Sequence, residues 1–281
     1  MKNNNKSDST IKLTDKILIY ISKHADLGNP EEVKQYIANK TASDGTKRNY
    51  CTAYDRYCKH YGIQWKMPKY KIEAKRRKIP TTEKIEMLIA RASPTLSLKL
   101  TISKETGVRP VELHNLKVRD VDTDRRAIYP TTAKNGSARV LKISSNLAVT
   151  IQNHINRHKL APNDMLFKGT QEHYGKNFRQ MRNYLADKLN DQSLKTIRLY
   201  DFRHYFATRL YAKTRDILYV KQQMGHKNIE TTLVYTQLLS LTDDEWICKT
   251  ANTVEEACKL LEIGFDYIQE IDGIKLYRKR K

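Results

Sequence analysis

Gly225-His226-Lys227-Asn228-Ile229-Glu230-Thr231-Thr232-Leu233-Val234-Tyr235 reads as the end of one helix, a turn, and a second helix with a tyrosine on its far turn. A phenol titrates near ~10 and is neutral at physiological pH, so alone it is a poor nucleophile. It becomes useful beside cations that stabilise developing negative charge. The chain just upstream supplies them. A helix over 216–224 stops at Gly225. Before it, the segment around 201–211 turns Phe202, Phe206 and Leu210 to one face and leaves Arg203 to project elsewhere.

Further out, Thr106-Gly107-Val108-Arg109-Pro110-Val111-Glu112-Leu113 is a tight turn into a new helix, with Pro110 near its first position. Arg109 therefore sits beside a helix N-terminus, where backbone N–H groups favour an anion. Equally, it has the spacing of an ion pair with Glu112. Both readings stay open here. Residues 127–131 and 139–143 have strand character and flank Lys134-Asn135-Gly136-Ser137, a hairpin signal that carries Lys134 to the tip. A lysine on a turn is ordinarily just solvated.

Charge is the dominant bulk property: 52 Lys+Arg against 31 Asp+Glu give a net +21 in 281 residues. Residues 1–78 carry a net +10, residues 79–240 a net +13 and residues 241–281 a net −2. Such an excess points to a polyanion, with nucleic acid ahead of an acidic membrane surface, and to salt-dependent binding. The hydrophobic content of 39% supports a real core and argues against global disorder. No apolar run reaches the ~18 residues of a membrane span, and residues 1–10 are polar, with no signal-peptide core. Cys51, Cys58, Cys248 and Cys258 form no CxxC pair, which fits a reducing, cytoplasmic setting. Cys51 and Cys58 share a helical stripe and read as buried, not zinc-binding. His154 and His158 lack a third ligand and read as exposed side chains. No metal and no cofactor is expected.

The N-terminal part reads as all-helical after a disordered start over 1–10. A helix at 11–24 precedes one opened by Asn29-Pro30-Glu31-Glu32: a capping side chain, proline at the first position, acids in the first turn. A longer helix carries Tyr50, Tyr54, Tyr57 and Tyr61 on one stripe, as core or as a stacking platform, and Gly62 ends it. Residues 66–80 hold two prolines and a run of cations and mark an interdomain linker. Lys75, Arg76, Arg77 and Lys78 make it a candidate strap along DNA phosphates.

The set Arg109, Lys134, Arg203, His226 and Tyr235, in that order, resembles the active-site pattern of tyrosine recombinases, the phage-integrase and Xer-like family. Arg203 to His226 is 23 positions and His226 to Tyr235 is 9, as in that family. The resemblance implies a mainly α fold with a small β-sheet: a helical, SAM-like core-binding domain over 11–65 and an α+β catalytic domain over 81–240, closing as a C-shaped clamp around DNA. It implies that Tyr235 attacks a phosphodiester to give a 3′-phosphotyrosyl link. Arg109 and Arg203 would hold the phosphate oxygens, His226 would hydrogen-bond them, and Lys134 would protonate the leaving 5′-oxygen. The partners it implies are double-stranded recombination sites and a homotetramer on DNA, monomeric or dimeric when free, associated with the nucleoid.

One position departs from the pattern. The family has a histidine three residues before the second arginine, and this chain has Tyr200. A phenol still donates a hydrogen bond but is a far weaker proton acceptor than imidazole. With the other positions of the pattern intact, Tyr200 is read as a catalytic residue standing in for that histidine. The alternatives are a catalytically weakened DNA-binding relative in which Tyr200 marks lost chemistry, or a topoisomerase-like nicking and closing enzyme with the same residues. The extension over 241–281 reads as a helix around 254–261 and a hairpin about Asp272-Gly273, similar to extensions of archaeal integrases and suited to subunit docking or to packing on its own domain.

Overall fold

The computed structural model describes residues 7–71, 78–132, 136–239, 246–271 and 273–280. These are mostly helical with two small antiparallel sheets, and the chain divides into two compact units, Met1–Arg76 and Arg77–Lys281.

The first unit contains α1 (Asp8–Ser22), α2 (Pro30–Asn39) and α3 (Asp44–Tyr61). Helix α1 begins at Asp8, inside the start expected to be disordered. An acidic residue in the first turn favours that early start. The Glu31 and Glu32 N–H groups donate to Asn29 Oδ1 at 3.2 and 3.4 Å, and Gly62 closes α3 with φ +71°. Ile17, Ile21, Val33, Ile37, Cys51, Tyr54 and Cys58 form the core. The tyrosine stripe divides. Tyr54 is buried and donates to the Leu27 carbonyl at 2.9 Å, whereas Tyr61 is 63% exposed.

The second unit opens with α4 (Thr82–Ala90), α5 (Pro94–Thr106) and α6 (Pro110–His114). Leu96, Leu98, Leu100 and Ile102 bury α5 on several sides, and it packs against α4 and α6. A small sheet follows, β1 (Val121–Asp122), β2 (Ala127–Ile128) and β3 (Leu141–Lys142), in the order β1-β2-β3. Here the structure differs from the strands expected over 127–131 and 139–143. Among the described residues of the two expected strands, only Ala127 and Ile128 pair with Lys142 and Leu141. Pro130 has no N–H to give to a ladder, which limits pairing beyond Ile128.

Helices α7 (Ser145–His158), α8 (Gln171–Lys188), α9 (Leu199–Thr214), α10 (Ile217–Met224) and α11 (Glu230–Leu239) complete the helical body. His154 is half-buried, not exposed as expected, and its Nε2 lies 3.0 Å from the Leu166 carbonyl. Ala207, Val220, Met224 and Tyr235 form a satellite core joining α9, α10 and α11. That packing fixes where the tyrosine sits. No helix among the described residues is long and apolar enough to cross a membrane.

After residue 245 come β4 (Trp246–Ala251), α12 (Val254–Glu262), β5 (Asp266–Ile271) and β6 (Ile274–Arg280), with strand order β4-β6-β5. The expected helix and hairpin are present, and β4 adds a third strand alongside β6. Ala251, Ala257, Leu260, Phe265 and Tyr277 give this element its own small core.

Candidate active site

Two glycine turns and one face of α9 build the site. Gly107 ends α5 with φ +61°, and a Cβ there would overlap the Phe206 ring of α9. Glycine is thus required on both counts, and its absence of side chain lets α5 and α9 approach. Arg109 follows at the N-cap of α6. Its Nη1 donates to Glu112 Oε1 at 2.7 Å, its backbone N–H donates to Glu112 Oε2 at 3.1 Å, and its Nη2 donates to the Gly225 carbonyl at 3.4 Å. The ion-pair reading of Arg109 is observed, and the same guanidinium also faces the Gly225–His226 turn. Glu112 is 1% exposed.

Arg203 is 1% exposed and joins two helix ends. Its Nη1 donates to the Gly107 carbonyl at 2.6 Å, at the end of α5, and its Nη2 donates to the Met224 carbonyl, at the end of α10. Terminal carbonyls have no partner inside their own helix and carry the negative end of its dipole. A guanidinium satisfies both needs, at roughly 1.5–3 kcal/mol per charge-assisted bond. Burial, then the charge of Arg109, lowers its pKa to about 10, so it remains a cation at neutral pH. Tyr200 and Tyr235 both lie within its electrostatic reach.

His226 Nε2 is 3.1 Å from Arg203 Nη2, and its Nδ1 is 2.9 Å from Thr232 Oγ1. A guanidinium only donates, so Nε2 accepts and the proton sits on Nδ1, which donates to the threonine hydroxyl. Burial first, then Arg203, Arg109 and Arg139, depress the His226 pKa to about 4. The imidazole is neutral at pH 7 in a strongly positive surround. Such a surround suits a phosphate and a developing phenolate.

Tyr235, on α11, is 2% exposed, and its hydroxyl lies 2.9 Å from His204 Nδ1 on α9. Residue types and spacing singled out Tyr235 but missed His204, which directly follows Arg203 in the chain. The signal was local: position 204 is one helical turn from Tyr200, on the same face. Tyr200 itself is 41% exposed at the rim, with its ring edge-on to His204 at 5.1 Å. It also lines a cleft of about 560 Å³ with Pro110, Arg179, Arg182 and Arg198. Also missed was Arg139, buried, with its Nη2 2.5 Å from Glu112 Oε2.

The structure therefore brings Arg109, Arg203, His226 and Tyr235 to one place, with Tyr200 at its edge. Lys134 lies outside the described residues, as do Lys75, Arg76 and Arg77 of the linker. Lys78 is described, exposed and outside any helix or strand.

A mainly helical domain of this architecture, with arginines, imidazoles and a tyrosine converging on one site, defines a class that comparison with known proteins identifies. Residues 80–241 match the phage integrase family model, and the chain belongs to that family. Among its relatives, a tyrosine recombinase of Pseudothermotoga lettingae is 33% identical over 144 residues, which cover 50% of this chain and 49% of that protein. The tyrosine recombinase XerA of Saccharolobus solfataricus is 25% identical over 206 residues, 72% of this chain and 67% of the relative. The chain thus spans about half the length of the first relative and two thirds of the second. A crystal structure of XerA recombinase shares the fold at TM-score 0.51 and 21% identity, covering 87% of this chain and 95% of that one. The Tn1549 transposon integrase in complex with a circular intermediate DNA does so at TM-score 0.65 and 17% identity, covering 92% and 95%.

Proposed function

We propose that this protein is a site-specific DNA recombinase that cuts and rejoins strands through Tyr235. The observation that carries the reading is the convergence of Arg109 with Arg203, a neutral His226 and Tyr235, which follow it 94 or more positions later in sequence. In the forward step the Tyr235 oxygen attacks phosphorus, a phosphotyrosyl bond forms at the 3′ side, and the bond to the 5′-oxygen breaks. The phenol proton passes to His204 Nδ1, the acceptor 2.9 Å away. Lys134 delivers a proton to the leaving 5′-oxygen. Arg109 and Arg203 hold the non-bridging oxygens with planar, permanently charged forks. With DNA bound, His226 would take the Nε2–H tautomer, Thr232 donating to its Nδ1, and so donate to the phosphate, and Tyr200 at the rim adds a hydroxyl donor.

The bond energy stays in the phosphotyrosyl link, so a 5′-hydroxyl from a second site reverses the step without a nucleotide cofactor. The surplus of +10 over residues 1–78 suits a helical core-binding domain, with Lys75, Arg76, Arg77 and Lys78 along the backbone, so that the two domains clamp a duplex. Arg179 and Arg198 beside Tyr200 suit phosphates flanking the cut. The working assembly would be a homotetramer on two sites, in the cytoplasm and associated with the nucleoid, with residues 241–281 available for subunit docking. Trapping on a nicked duplex tests the proposal: the strand piece beyond the cut diffuses away, so a covalent adduct accumulates. An adduct that is absent for Tyr235→Phe supports the reading, and the same adduct from Tyr235→Phe overturns it.

A further inference from the structure

We infer that Arg139 is a positioning residue for strand cleavage: it holds Glu112, and through Glu112 it aims Arg109. The inference rests on the reading of the site given above. Arg139 lies in the connection between β2 and β3, five residues after Lys134. Its side chain is 1% exposed and that of Glu112 is fully buried. Arg139 Nη2 donates to Glu112 Oε2 at 2.5 Å, and Nη1 reaches Oε1 at 3.5 Å. The same two oxygens accept from Arg109 Nη1 and from the Arg109 backbone N–H. One buried carboxylate thus faces two arginines, and neither guanidinium can shift without moving the shared acceptor. Burial pushes the Glu112 carboxyl up, but Arg139 first and then Arg109 overcome it and hold its pKa near about 2.

Gly225 closes the arrangement on its other side. A Cβ there would come within 2.7 Å of Arg139 Nη1 and 3.0 Å of the Ser137 carbonyl, and φ at this residue is +59°. Its carbonyl in turn accepts from Arg109 Nη2. The turn that delivers His226 is therefore seated against both arginines. Stability alone is a weak reason for this cluster, because apolar residues of similar volume commonly replace a buried ion pair at no loss. A carboxylate that pins a phosphate-facing guanidinium is a reason, since misplacement by about 1 Å is costly to catalysis. The same link ties the aim of Arg109 to the segment that carries Lys134.

The test starts from a pool of nicked duplexes of random sequence, from which the wild-type protein captures those it joins covalently. If wild type captures none, the cleavage reading itself fails. On a captured duplex, Arg139→Met should form adduct about 100-fold more slowly in a single turnover, with its Kd for the duplex within about twofold of wild type. Glu112→Gln should behave alike, and the double variant should be no slower than the worse single one, because the pair acts as a unit. Arg139→Lys keeps the charge but not the fork, and it decides the matter if Arg139→Met does not fold. Cleavage at least about tenfold slower at unchanged Kd supports the inference. Wild-type rates in Arg139→Lys, or a double variant slowed by the product of the single effects, would overturn it.

Discussion

The Tyr235 hydroxyl and His204 Nδ1 are 2.9 Å apart, and both residues are at most 3% exposed. The two are 31 positions apart with α10 between them, yet the contact puts an imidazole on the proposed nucleophile of a chain that has Tyr200 where the family pattern has a histidine. In the proposed reaction this arrangement of a buried phenol, an imidazole and the nearby Arg203 cation lets His204 take the phenol proton and Arg203 stabilise the phenolate.

His204→Gln should therefore retain a hydrogen bond to Tyr235 but slow single-turnover cleavage by about 100-fold, the lower end of general acid–base contributions. Duplex affinity should not change. Cleavage at the wild-type rate would remove His204 from the reaction.

Tyr200 is a rim residue, 41% exposed, so its removal should matter less. Tyr200→Phe keeps the ring against His204 and loses only the hydroxyl. Adduct formation should slow by about tenfold, in line with one lost hydrogen bond, while binding stays constant in a filter or polarisation assay. Equal cleavage rates would place the hydroxyl outside the site.

His226 predicts a pH dependence of stability. Its folded pKa of about 4 lies below the ordinary value of 6.5. Between those values the unfolded chain binds more protons, so stability rises with pH in that window. The contribution is fully present above pH 6.5 and is lost as pH falls toward 4. Urea midpoints measured at pH 7 and pH 5 should therefore differ more in wild type than in His226→Gln. An identical difference in the two proteins would show that the shift is absent.

Gly107→Ala meets two obstacles, a left-handed backbone and the Phe206 ring. Left-handed strain costs roughly 1–2 kcal/mol and overpacking roughly 1–3 kcal/mol. The thermal midpoint should fall by several degrees, about 2–4 °C per kcal/mol for a domain of this size. A midpoint unchanged in differential scanning calorimetry would contradict the close packing of α5 on α9.

Local chemistry made much of the fold legible. The Asn29 cap, Pro30, Gly62, Gly107 and the hairpin of β5 and β6 each act within a few residues, and each appears where its chemistry directs. The order and spacing of Arg109, Arg203, His226 and Tyr235 were legible, and the glycine turns at 107 and 225 that bring them together were legible with them. The Asn135-Gly136 signal overstated its strands, since ladder length depends on Pro130 and on what lies across the sheet. Arg139 with Glu112 and His204 with Tyr235 were not legible, being side-chain pairs at separations of 27 and 31 with no periodicity to announce them.

The most direct test of the account is covalent capture of nicked duplex DNA by the wild-type protein, with peptide mapping of the adduct. The account predicts a single DNA-linked peptide containing Tyr235, a free 5′-hydroxyl on the released strand, and no adduct from Tyr235→Phe. A DNA-linked peptide containing Tyr200, or an undiminished adduct from Tyr235→Phe, would contradict it.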